Sequence, residues 1–357
     1  MRTWISSLVL CSVLLPLAVG CTSSIGAKTV PRDQFSYAEA LRDAWKEQML
    51  LNLVGLRYAE APMFLKVTSV INNYTFEGGF AAATPGYDQA AVVNPPLEIV
   101  GKYADRPTIS YTPLTGADFT RSVLTPIPPH SVMSLIQAGW RVDLLFPLTV
   151  RSVNGVAQGG VGATSVDQTR YFELVSLLTE IQRHDGLSFR VEQRGEDDVA
   201  IVRIDVGESD EEIELDRRIG EILGLDPNAE EYRLVFGREA SGPAEIAMLT
   251  RSIFEMLASL AQWVEVPPEH VASGRALPPP SAAAMERYGF QPLITVRSSL
   301  ERPDDAFVAI RYDGRWFWID HDDLASKRTL GFVQLMFSLA ESSTSQRDPV
   351  VTVQAGG

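Results

Sequence analysis

The chain has two cysteines in 357 residues, Cys11 and Cys21, and both fall within the first 21 positions. No other feature limits the fold as much. Residues 1–20 carry one charge, Arg2, followed by an apolar run from Trp4 to Leu17 broken only by Ser, Cys and Pro, and ending in Val19-Gly20. A basic start, an apolar stretch too short for a membrane span and a small-residue stop have the layout of a secretory signal peptide over residues 1–20. Its removal leaves Cys21 as the first residue and the single cysteine of the mature chain. An intramolecular disulfide is then excluded, so the fold must rest on an apolar core. A chain of this length with 45% hydrophobic residues can build one.

The segment Leu17-Ala18-Val19-Gly20-Cys21 resembles the lipobox of bacterial lipoproteins, in which the cysteine is acylated. The resemblance implies that Cys21 joins the chain to a lipid bilayer, and stable attachment takes more than one acyl chain. Thr22 stands where an Asp would resemble an inner-membrane retention signal, so the expected address is the outer membrane. Residues 21–33 then read as a flexible tether of small and polar residues. With 45 acidic against 31 basic residues and a net charge of −14, the chain lacks the basic surface that nucleic acid or a broad anionic-lipid contact requires.

Two α+β parts are expected beyond the tether, over residues 34–166 and 167–357, each of antiparallel sheets packed with amphipathic helices. Ser36 and Glu39 have capping-box spacing and open a helical pattern that runs to Pro62, with Leu41, Trp45, Met49, Leu53 and Leu56 on its apolar face. β-Branched and aromatic residues then mark extended structure over 63–82 and strands over 97–103 and 108–111, with a loop over 83–96 between them, and residues 154–166 read as a Gly-rich loop. Helices are expected over 131–137, 168–183, 211–223, 322–340 and, as one long amphipathic element, 245–264; strands over 187–194, 199–206, 232–236, 292–299, 307–312, 315–320 and 350–353. A Pro-rich linker falls near 273–284, and Asp313-Gly314 marks a two-residue hairpin turn. The order strand, strand, helix, strand occurs twice in the C-terminal half, and residues 197–204 (DDVAIVRI) look like 304–312 (DDAFVAIRY). Two ββαβ-like units and a chance likeness of strands explain this equally well.

The stretch from Trp45 to Tyr58, the segment Tyr111-Thr112-Pro113-Leu114-Thr115-Gly116, the segment Leu124-Thr125-Pro126-Ile127-Pro128-Pro129 and the motif Trp316-Phe317-Trp318-Ile319-Asp320 are similar to a group of uncharacterised lipoproteins of Gram-negative bacteria. The resemblance implies an envelope address and carries no activity or functional residues with it.

Catalytic motifs are sparse. The loop over residues 155–165 (GVAQGGVGATS) lacks the lysine of a P-loop, and neither G-x-S-x-G nor H-E-x-x-H occurs. His184-Asp185 and His321-Asp322 could each fix an imidazole tautomer, but both fall where helix ends are expected, which capping explains as well. His130 and His270 follow prolines and are expected in exposed loops. The acidic run from Glu192 to Glu231 has no calcium-loop spacing and reads as a solvated face. Trp316 and Trp318 alternate on one face of a strand, and such a pair can stack on sugar rings or pack against a following helix. No metal or other cofactor is indicated. The leading expectation is a non-enzymatic interaction or assembly component with an envelope protein as partner; a glycan- or small-ligand-binding protein using Trp316 and Trp318, and a hydrolase using a His-Asp pair, are the alternatives.

Overall fold

A computed structural model describes residues 30–71, 74–81, 98–105, 108–159, 167–194, 197–204, 209–276, 278 and 292–342. Cys21, the signal segment and the strand expected over 350–353 lie outside the described residues, as do most of the Gly-rich loop and of the Pro-rich linker.

The fold is α+β, as expected. Helix α1 (Val30–Arg57) starts before the expected cap at Ser36 and takes in the last residues of the expected tether, a correction that Pro31 permits because a missing N–H costs nothing in a first turn. Met49, Leu50, Leu53 and Val54 are fully buried, while positions 38–40 and 42–44 are exposed, so the helix is a core element only in its second half. Strands β1 (Leu65–Ile71), β2 (Tyr74–Ala81), β3 (Glu98–Asp105) and β4 (Thr108–Pro113) form two antiparallel pairs, β1 with β4 and β2 with β3. A short α2 (Gly116–Phe119) runs into a π-helical turn at Thr120–Leu124.

Next come α3 (Pro129–Gln137) and α4 (Val142–Thr149), then β5 (Val150–Val153) and β6 (Val156–Ala157). The chain continues through α5 (Asp167–Arg183), β7 (Leu187–Arg194), β8 (Asp197–Ile204), α6 (Asp210–Leu223), β9 (Tyr232–Phe236) and β10 (Glu245–Thr250). These six strands make one sheet in the order β6-β5-β10-β9-β8-β7, antiparallel throughout except for the parallel pair β9 and β10. Helices α7 (Ile253–Ala261) and α8 (Pro268–Ala272) lead to β11 (Arg297–Ser299), β12 (Ala306–Tyr312) and β13 (Arg315–Asp320), a second sheet in the order β11-β13-β12, and to α9 (Leu324–Ser342).

The chain divides into two compact units. One holds residues up to Pro62 with Pro126–Met336; the other holds Met63–Thr125 with residues from Phe337 onward. The expected boundary at residue 166 is therefore corrected: β5 and β6 lie before it and share a sheet with β7 to β10 after it. The helix expected over 245–264 is also corrected. Residues Glu245–Thr250 are a strand held between β5 and β9, and the helix starts only at Ile253. Ser252 and Glu255 form a capping box there, and this reciprocal cap fixes the break. Of the two ββαβ-like units, β7-β8-α6-β9 is formed. In the other, β12 has a single neighbour among the described strands while its look-alike β8 is flanked on both sides, so the similar sequences occupy different environments.

The core explains several polar residues. Pro147 lies inside α4, and the carbonyls at the end of that helix need partners from elsewhere. The fully buried Tyr171 hydroxyl supplies one proton shared between Phe146 O and Val150 O, each at 2.9 Å. Arg251, 8% exposed, donates to Pro147 O, Ser259 Oγ and Gln158 Oε1, all neutral acceptors. Asn154 adopts a left-handed backbone (φ 45°) in the two-residue turn with Gly155 (φ 79°), the geometry that Asn-Gly hairpins favour. Its side chain accepts from Ala247 N and donates to Leu223 O, tying β5 to β10 and α6.

Candidate functional site

The three-stranded sheet carries the tryptophans singled out in the sequence. Asp313 (φ 47°) and Gly314 (φ 81°) make the expected turn, which sets the register Tyr312 to Arg315, Arg311 to Trp316 and Ala309 to Trp318. Alternation then sorts the side chains. Phe317 and Ile319 enter the core at 1% and 0% exposure, with Val308 and Ile310 beside them. Trp316 and Trp318 take the other face and are partly exposed.

On that outer face β11 contributes Ser299 opposite Trp316 and Arg297 opposite Trp318. The Trp318 indole N–H donates to Asp320 Oδ1 at 2.7 Å, and Arg297 Nε pairs with Asp320 Oδ2 at 2.7 Å. These two bonds fix the ring of Trp318. The guanidinium of Arg302 lies over Trp316, 5.3 Å from the ring centroid. Among the described residues neither Arg302 nor the exposed Arg311 has a carboxylate partner. The face therefore combines two tryptophans with two uncompensated arginines on a chain whose net charge is −14. Stacking of a sugar ring needs a bare aromatic face, and on Trp316 Arg302 covers one. Tryptophan and arginine together are the residue types that dominate protein–protein contact energies.

Beside this face, a groove of about 490 Å³ lies between α1 and β12. Asp43, Lys46 and Glu47 of α1 form one wall; residues 306–309 of β12 form the other, and Arg302 and Asp304 stand at one end. Lys46 Nζ bonds Asp43 at 2.7 Å, and that bond holds the Asp43 carboxyl below its ordinary range. Two ammonium groups lie over the Phe307 ring, Lys46 at 4.7 Å and Lys327 at 5.3 Å from its centroid.

A second polar cluster gathers where α1, α8 and the β12–β13 turn meet. Arg275 Nη1 approaches His270 Nε2 at 3.2 Å, and a guanidinium can only donate. Nε2 is therefore the acceptor, and Nδ1 carries the proton that it donates to the Tyr58 hydroxyl at 2.8 Å. Partial burial and the neighbouring Arg275 hold the His270 pKa below its ordinary value, which fits this neutral tautomer. Arg275 also bonds Asp313, and the Tyr312 hydroxyl donates to Glu60 at 2.7 Å. Burial and the Glu60 carboxylate push the Tyr312 pKa up to about 12. His270 thus belongs to a short helix and a bonded cluster, which corrects its expected place in an exposed loop.

The other histidines are dispersed. His130 is exposed on α3, another correction, since α3 starts at Pro129. His184 faces Glu180 at 3.6 Å and Glu212 at 3.5 Å, two carboxylates distinct from the adjacent Asp185. His321 is exposed, and its carbonyl accepts from Lys327 Nζ. Among the described residues no group of three His, Cys, Asp or Glu side chains is placed to hold a metal, and no helix is long and apolar enough to cross a membrane. No motif in the sequence marks Arg302 or Arg311. A partial signal exists for the second: once the Asp313-Gly314 turn fixes the register, Arg311 must stand opposite Trp316 on the same face.

Comparison of the chain with protein families, with curated proteins and with solved structures finds no match in any of the three.

Proposed function

We propose that this protein is a lipid-anchored component of the bacterial outer membrane that acts by binding, without catalysis, and that its partner is an envelope protein. The anchor is an acylated Cys21, and the contact surface is the outer face of the β11-β13-β12 sheet. One observation carries the reading: Trp316 and Trp318 lie partly exposed on a sheet face whose opposite side is core, flanked by Arg302 and Arg311, which form no ion pair among the described residues. Buried aromatic and arginine anchors supply most of the binding energy where proteins meet. The lipobox and the similarity to uncharacterised lipoproteins support the address.

The test is crosslinking in intact cells followed by purification. Changing both Trp316 and Trp318 to Ala is expected to remove specific crosslinked partners while circular dichroism and the melting transition stay close to wild type, because Phe317 and Ile319 keep the core contacts. An unchanged set of partners rejects this face, and a collapsed fold assigns the tryptophans to packing.

A further inference from the structure

We propose that the groove along β12 receives an extended acidic segment of the partner protein, which adds to the three-stranded sheet as a fourth strand. The proposal rests on the partner-binding function and specifies how the partner is held.

Successive side chains of a strand point to opposite faces. Along β12, Val308 turns to the core at 6% exposure, whereas Ala309 shares the outer face with Trp318. Residues of both kinds line the groove, so it runs along the edge of the strand. Among the described strands β12 has one neighbour, β13, and no described strand pairs with its other side, the position at which an edge strand offers backbone N–H and C=O groups. An extended peptide is the ligand whose own backbone matches such a row, and the volume of the groove is that of a ligand site.

Charge selects the kind of segment. On the outer face an added strand would set its side chains beside Ala309 and Arg311, within the distance at which directly opposite pairs interact. Among the described residues Arg311 has no carboxylate of its own, and Arg302 stands unpaired at the groove's end. Acidic side chains on that face would meet both arginines, and the small Ala309 leaves space beside Trp318. The wall on α1 carries Glu47 and Asp43, the latter bonded to Lys46, and Asp304 lies nearby, so residues pointing that way must be uncharged or basic. The expected pattern is acidic at every second position. A second copy of this chain is a poor occupant: Lys46 and Lys327 flank Phe307 on the same edge, and each copy carries −14.

The full-length chain, expressed with Cys21→Ser to keep it free of lipid, can be titrated by fluorescence anisotropy with three labelled peptides. One alternates glutamate with threonine over eight residues, one alternates lysine with threonine, and the third is the glutamate peptide with its backbone nitrogens methylated. Saturable binding of the first alone is expected, weakened tenfold or more by Arg311→Glu and much less by Arg311→Lys. Equal binding of the methylated peptide overturns strand addition, and indifference to Arg311→Glu overturns the charge match. If no peptide binds while the tryptophan variant still loses its crosslinked partners, strand addition fails and the partner reading stands. If neither changes, both fall.

Discussion

Tyr171 shows how a distant side chain can reinforce a helix end that the backbone already caps. Its hydroxyl serves two buried carbonyls at the junction of α4 and β5, both at 2.9 Å. Tyr171→Phe keeps the ring and removes the shared proton, while Phe146 O keeps its bond from the Val150 N–H, so a loss of about 1 kcal/mol is expected in urea unfolding. His270 works at the surface. Its folded pKa lies below the value of about 6.5 that an unfolded chain gives it, so the unfolded state takes up a proton first as pH falls. Its contribution is intact above that unfolded pKa and is lost below it. Melting temperatures measured between pH 7.5 and 5.5 should fall toward acid, and His270→Gln should make the slope shallower; an identical slope would separate His270 from acid sensitivity.

At the level of elements, most helices and strands are legible in the sequence because their apolar periods are regular. Residues 245–264 read as one helix for an identifiable reason. The apolar residues of Glu245–Thr250 and of Ile253–Ala261 run together in sequence, and a strand enclosed by two neighbours has no alternating pattern to betray it. The boundary rests on Ser252 and Glu255. Ser252→Ala is expected to cost about 1 kcal/mol, read as a lower unfolding midpoint, with the helix start frayed in hydrogen exchange. Asn154-Gly155 is hidden in a different way, since the glycines after it make a hairpin turn look like the start of a loop. The candidate site is half legible: alternation identifies the tryptophans, but Arg302 reaches Trp316 from the connection between β11 and β12, which no periodicity describes. The Tyr58–His270 cluster joins residues 212 positions apart and can be found only in three dimensions.

For the whole molecule, a strongly acidic chain carries a basic, aromatic face on one small sheet. Electrostatic complementarity of this kind acts chiefly on the rate of encounter and is screened by salt. The proposed anchor is the other property of the whole. In cell fractionation Cys21→Ser should move the protein from membrane to soluble fractions without altering its melting transition, and mass spectrometry of the wild type should find the acyl groups on Cys21. Retention of the Ser variant in the membrane would show that something other than lipid holds it there.

The arrangement of the six-stranded sheet bears on how such a chain is made. β10 is the last of the six in sequence, yet it lies between β5 and β9, and Asn154 binds Ala247 across a separation of 93 positions. A polypeptide made from its N-terminus delivers β5 and β6 long before β10. Until that final strand arrives, one flank of β5 stays open to any extended sequence nearby. The sheet is completed by insertion at its middle instead of growth at its rim, so its assembly waits on a contact between residues 93 positions apart.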